Sequence, residues 1–194
     1  MYKNNEEIIE IWDRFRSGNN DAFSVLYETF LDILFRYGMK FVLNEDVVKD
    51  CIQDLFIKLY NNRTSLAPIA NPKLYLLLSL KNMIIDVISR DKRVTYVAPE
   101  DLPFIASYQY LIDQDDTEDE EIKEKFEQVI RILNPRQKEA IYLRFQLDLS
   151  YDEISRLLGV NYQSARNLIH RSILKIREEM GLTGFMILFL QAFK

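Results

Sequence analysis

Apolar residues recur at spacings of three and four along nearly the whole chain, and only 5 glycines and 5 prolines interrupt them. That period is the helical one, so the pattern predicts an all-α protein. Start signals sharpen the boundaries. Asn71-Pro72 and Asn134-Pro135 each put an N-cap residue before a proline at the first helical position, where a missing N–H costs nothing. Ser150 and Glu153 have capping-box spacing, and Asn44 precedes Glu45 and Asp46, two acids that the N-terminal end of a helix dipole favours. The predicted helices are residues 5–16, 20–42, 45–60, 72–92, 119–132, 135–147, 150–158 and 161–179.

Between Val94 and Thr117 the periodicity fails: Pro99 and Pro103 lead into the acidic run DQDDTEDEE. The expectation is two small helical domains, 1–94 and 119–180, joined by an acidic linker over 95–118, with an apolar C-terminal extension over 181–194. As composition, the acidic run reads as a solvated spacer. The extension, GLTGFMILFLQAFK, suits either a helix packed on the second domain or an exposed patch for a partner.

Charge changes the picture once it is divided. The whole chain carries a net −5, but residues 1–94 are neutral, 95–127 sum to −9 and 128–194 to +4. The C-terminal part is therefore basic, and the whole-chain value is a poor guide to its partners. With 48% hydrophobic and 28% charged residues the chain has the balance of a globular protein. Its single cysteine, Cys51, falls within an apolar stripe, which excludes an internal disulfide or a multi-cysteine zinc site and predicts a packed thiol in a reduced compartment. No basic segment followed by an apolar one opens the chain, and the longest apolar run, Phe185 to Leu190, is far short of the roughly 20 residues a spanning helix needs. A cytoplasmic protein without membrane insertion is expected. One histidine, one cysteine and no glycine-rich phosphate loop leave nothing to support an enzyme, a metal site or a cofactor.

The candidate chemistry lies in SYDEISRLLGVNYQSARNLIH, residues 150–170. Leu149, Ile154, Leu157 and Leu158 make one apolar face, Gly159 can take the positive φ of a tight turn, and Asn161 can cap the next helix. This is helix-turn-helix spacing. In the second helix Ala165, Leu168, Ile169, Ile173 and Ile176 form the stripe to be buried, so Tyr162, Gln163, Arg166, Asn167 and His170 are left to face away from it. A recognition helix needs that arrangement, because near its N-terminal end Arg can bond guanine bidentately and Asn or Gln can do so with adenine. Further along, Arg171, Lys175 and Arg177 can neutralise phosphates. A plain antiparallel helix pair with a solvated face has the same spacing, but residues 161–177 contain no acid at all, whereas a solvated face usually mixes signs.

LNPRQKEAIYLRFQLDLSYDEISRLLGVNYQSARNLIHRSILKIRE, residues 133–178, resembles region 4 of bacterial sigma factors, in particular the extracytoplasmic-function (ECF) group of the sigma-70 family. DCIQDLFIKLY (50–60) resembles region 2.2, and NPKLYLLLSLKNMIIDVISRDKR (71–93) resembles regions 2.3 and 2.4. The resemblance implies a transcription initiation factor that binds RNA polymerase core and recognises and opens promoter DNA. It implies minus-35 contacts from Tyr162, Gln163, Ser164, Arg166, Asn167, His170 and Arg171, and polymerase contacts to the clamp coiled coil from Asp50, Gln53, Asp54 and Lys58, with a further contact to the polymerase flap. The loop NNRTSLAPIAN would correspond to the one that captures an unstacked base of the minus-10 element. Its Asn61, Asn62, Arg63, Thr64, Ser65 and Asn71, with Lys73, Tyr75, Lys81, Asn82, Arg90 and Arg93 of the following helix, carry the amide, hydroxyl, aromatic and cationic groups that single-strand binding uses. An anti-sigma factor, often membrane-anchored, is implied as a further partner. Leu168 departs from the family, which often carries arginine there, so Arg166 or Arg171 would have to supply that phosphate contact. The alternative is a free-standing helix-turn-helix regulator that binds its operator alone, usually as a dimer.

Overall fold

The computed structural model describes residues 4–90 and 131–192, with side chains to 179. Among them all regular structure is helical. The chain divides into two compact units, Met1–Tyr96 and Val97–Lys194. The expected linker over 95–118, and all but the last two residues of the helix expected over 119–132, lie outside the described residues.

In the first unit, helices α1 (Asn5–Arg16), α2 (Asn20–Gly38), α3 (Glu45–Asn61) and α4 (Pro72–Arg90) pack around one core, with a 3-10 turn at Arg63–Ser65. Polar caps start three of them. Asn19 Oδ1 accepts the Ala22 N–H at 2.8 Å, Asn44 Oδ1 accepts those of Asp46 and Val47, and Asn71 Oδ1 accepts that of Leu74 at 2.9 Å, each satisfying an amide that the first helical turn leaves orphaned. Trp12, Phe15, Leu34, Tyr37, Ile52, Leu76, Leu77, Leu80 and Ile84 fill the core. Trp12 meets Phe15 and Tyr75 edge-on, with centroids 5.9 and 5.4 Å apart, an arrangement that suits the ring quadrupoles. Cys51 is buried among these helices. Burial pushes its thiol pKa up, and the nearby carboxylates of Asp54 and Asp50 push it the same way.

Helix α2 ends at Gly38, four residues short of the sequence expectation. The apolar pattern runs on through Met39, Phe41 and Val42, but these residues turn, with Lys40 N–H donating to Tyr37 O and Phe41 N–H to Gly38 O, and so bury Met39 and Phe41 between helices. Gly38 itself packs tightly against α3 and α4: a Cβ there would lie 2.6 Å from Val48 Cγ1 and 3.3 Å from Ile84 Cδ1. Val48 is β-branched, stiff and fully buried, so it has little room to yield. Gly38→Ala is therefore expected to destabilise the unit by about 1–3 kcal/mol in urea titrations, although alanine is the better helix former.

The second unit contains α5 (Pro135–Phe145), α6 (Tyr151–Leu158) and α7 (Tyr162–Ala192). Two reciprocal capping boxes start α5 and α6. Asn134 pairs with Gln137, and Ser150 with Glu153, whose carboxylate accepts the Ser150 N–H at 2.6 Å. Helix α5 stops at Phe145, two residues before the expected end, and Leu147 and Leu149 then turn inward on either side of Asp148, which has φ +48°. Gly159 closes α6 with φ +64°, a left-handed conformation that most residues avoid, and Asn161 Oδ1 accepts the Ser164 N–H at 2.7 Å to start α7. Ala165, Ile169 and Ile176 of α7 are buried as expected, whereas Leu168 and Ile173 are only half-buried. Their place in the stripe goes to Ser172, which is fully buried and donates its hydroxyl to Leu168 O at 2.7 Å. The helix runs without a break to Ala192 and so takes in most of the expected extension; what its side chains contact beyond 179 lies outside the described residues. Among the described residues no helix is long and apolar enough to cross a membrane.

Candidate nucleic-acid interface

The turn between α6 and α7 is fixed from several sides. Arg136 donates to Leu158 O at 3.0 Å, holding the end of α6 to the start of α5. Arg144, at the end of α5, donates to Leu149 O at 2.9 Å, pairs with Asp148 at 3.6 Å and sits 5.5 Å from the centre of the Tyr151 ring. Tyr151 in turn meets Tyr162 edge-on at 6.1 Å. The first residue of α7 is thereby tied through α6 to α5. Sequence reasoning did not single out Arg144 or Tyr151, because neither shows a motif until the fold stacks them.

From this base α7 carries Tyr162, Gln163, Ser164, Arg166, Asn167, His170 and Arg171, all exposed, over the part of its circumference that Ala165, Ile169, Ser172 and Ile176 leave free. All seven residues singled out on this helix are thus exposed within its first three turns. Tyr162 is 51% exposed despite its ring contact, which leaves an aromatic surface at the entry to the helix. Gln163 Nε2 donates to Asn167 Oδ1 at 3.3 Å, one turn apart along the helix.

The loop between α3 and α4 is held from behind by α1. Arg16 Nε donates to Leu66 O at 2.6 Å, Trp12 Nε1 to Ala67 O at 3.4 Å and Asn5 Nδ2 to Ala70 O at 3.4 Å. Asn61, the last residue of α3, and Asn62, Thr64 and Ser65 of the loop are exposed. Several of its polar groups are engaged locally: Asn62 Nδ2 donates to Lys58 O, Ser65 Oγ donates to Asn62 O, and Asn71 caps α4. Arg63 is half-buried with its guanidinium 4.3 Å over the Tyr60 ring and its Nη1 donating to Tyr60 O at 2.7 Å.

On α4, Asn82 and Arg90 are exposed and Lys73 is half-buried. Tyr75 is also half-buried, with Trp12 against its ring. Lys81 does not join them. It is only 6% exposed, and its ammonium lies 5.6 Å from the centre of the Phe41 ring, in the turn after α2. Position 81 shares a helix face with Leu77 and Ile84, so its four-carbon stem is drawn into the core while the charge rests on an aromatic face. The reading of Lys81 as a strand contact is corrected accordingly. Arg93 lies outside the described residues.

On α3 the core side is Val48, Ile52, Leu55 and Leu59, while Asp50, Gln53, Asp54 and Lys58 are all exposed. Gln53 borders an open groove of about 550 Å³ between α2 and α3, whose walls include Tyr27, Phe56, Ile57 and Tyr60. Ile57 is 48% exposed there. This outer face is therefore partly apolar, which the polar residues at 50, 53, 54 and 58 did not indicate.

Residues 26–94 match the family model of Sigma-70 region 2, and residues 123–176 match that of Sigma-70, region 4. The two matches stand in order and between them cover more than half of the chain. The RNA polymerase sigma factor CarQ of Myxococcus xanthus is 26% identical over 170 residues, which take in 87% of this chain and 95% of that protein. Among solved structures, the sigma factor RpoE in complex with the anti-sigma factor NepR, from Bartonella quintana, shares the fold at a TM-score of 0.56 and 19% identity, over 82% of this chain and 97% of that one.

Proposed function

Because the chain belongs to the sigma-70 family, in its extracytoplasmic-function group, and is a transcription initiation factor, we propose that its two units divide the work of promoter recognition between them. The second unit reads the minus-35 element through Tyr162, Gln163, Ser164, Arg166, Asn167, His170 and Arg171. The first unit docks on RNA polymerase core through Asp50, Gln53, Asp54 and Lys58. It takes the opened minus-10 strand at Asn61, Asn62, Arg63, Thr64, Ser65 and Asn71, continuing along α4 with Lys73, Tyr75, Asn82 and Arg90. Opening is driven by binding: unstacking a base costs a few kcal/mol, offset by stacking and phosphate contacts on the captured strand. The protein supplies no chemistry of its own and works in the cytoplasm. An anti-sigma factor is its proposed regulator, as RpoE of Bartonella quintana is seen bound to one.

The observation that carries the minus-35 assignment is the exposure of amide, guanidinium and imidazole groups together on residues 162–171 of α7, an acid-free stretch behind a fixed turn. Arg166→Ala is expected to remove about 1–3 kcal/mol of discrimination at one base pair of the minus-35 element, with core polymerase affinity unchanged. Equilibrium binding of the holoenzyme to a set of single-pair promoter variants measures this. Discrimination equal to that of the wild type at every pair would contradict the assigned reading face.

A further inference from the structure

We propose that Gln163 and Asn167 act as a single unit that recognises one adenine of the minus-35 element. The inference rests on the reading that α7 enters the major groove. Both side chains are exposed in the first two turns of that helix, and the Gln163 amide N–H donates to Asn167 Oδ1 at 3.3 Å. A lone Gln or Asn discriminates only when it bonds a base bidentately; through a single contact it can rotate its amide by half a turn and offer a donor or an acceptor to the same base atom. The bond between these two removes that freedom, since neither amide can turn alone without breaking it.

The pairing uses one N–H of Gln163 and the oxygen of Asn167. It leaves for a partner the Gln163 Oε1, an acceptor, beside the Asn167 Nδ2, a donor, with the second Gln163 N–H also unused by the pairing. Turning both amides together exchanges the two ends but still leaves an acceptor beside a donor. Of the four bases, adenine alone offers the complement on its own major-groove edge, an N6 amino donor next to the N7 acceptor. Guanine offers two acceptors, N7 and O6, and would set O6 against the amide oxygen. Thymine offers one acceptor beside a methyl group, and cytosine one donor. Arg166, whose guanidinium is all donor, is suited to the opposite case, so guanine and adenine are read by different residues of one surface.

The test uses core polymerase with the full chain, on a promoter selected from a randomised pool by run-off transcription. Binding is measured for every single-pair replacement of the minus-35 element and for 7-deazaadenine, which lacks the N7 acceptor. Gln163→Leu, Asn167→Leu and the double variant are each expected to lose the adenine preference at the same base pair, by about ten-fold or more, with the double variant no worse than either single one. At that pair 7-deazaadenine weakens the wild type and leaves the variants unaffected. Leucine is a strong helix former at exposed positions, and thermal melts monitored by circular dichroism confirm that the variants fold. Losses at two different base pairs, losses that multiply in the double variant, or an undiminished adenine preference would each overturn the joint unit while Arg166→Ala still alters discrimination. If Arg166→Ala also has no effect, the minus-35 reading of α7 falls, and the inference with it.

Discussion

Trp12→Ala is expected to lower the stability of the first unit by about 3–5 kcal/mol, a large share of the 5–15 kcal/mol typical of a whole domain. The indole is 1% exposed, packs edge-on against Phe15 and Tyr75, and donates its N–H to Ala67 O in the loop before α4. Removing it opens a cavity at the junction of α1 and α4 and releases one of three side-chain bonds that hold that loop. The functional consequence should exceed the loss of stability. At a temperature where the variant is still folded, promoter opening should fall further than binding to closed promoter DNA, because the loop is the proposed site of base capture. Trp12→Phe, which keeps most of the packing and loses the hydrogen bond, should recover most of the stability and part of the opening. Urea titration followed by circular dichroism, alongside permanganate footprinting of the opened strand, checks both parts.

Ile154→Ala is expected to remove about 2–5 kcal/mol from the second unit. Helix α6 has 8 residues, too few to persist in isolation, so its helicity depends on its two caps and on burial against α5 and α7. Ile154 is completely buried in that short element. Its loss should loosen α6 and, through Tyr151 and the Gly159 turn, the orientation of the first residues of α7. Minus-35 binding should weaken together with thermal stability, whereas Ile154→Val, with an expected loss of about 0.5–1.5 kcal/mol, should retain near-normal binding. A melt and a binding isotherm on each variant measure the two quantities.

Helix starts were legible because their determinants are local: Asn44, Asn71, Asn134, Ser150 and Asn161 all act within three residues of themselves. Helix ends were less legible. Met39 and Phe41 continue the apolar pattern of α2, yet they are buried by a turn, and nothing local separates the two outcomes. The outward-facing residues of α7 could be read because the buried stripe determines which side chains face outward. Lys81 was misread since its charge suggests solvent while its position, between Leu77 and Ile84, belongs to the core side of α4. Ser172 was missed for the matching reason: a hydroxyl that bonds back to its own helix can occupy an apolar stripe. The hold of Arg16, Trp12 and Asn5 on the loop joins residues 50 or more positions apart, which periodicity and capping rules cannot detect.

Run-off transcription on a pool of randomised promoters, using bacterial core polymerase with and without this protein, tests the central claim most directly. Transcripts that appear only when the protein is present, from templates sharing two motifs at a fixed spacing, are the predicted result. Silence from the pool, together with tight sequence-specific DNA binding by the protein without polymerase, would contradict it.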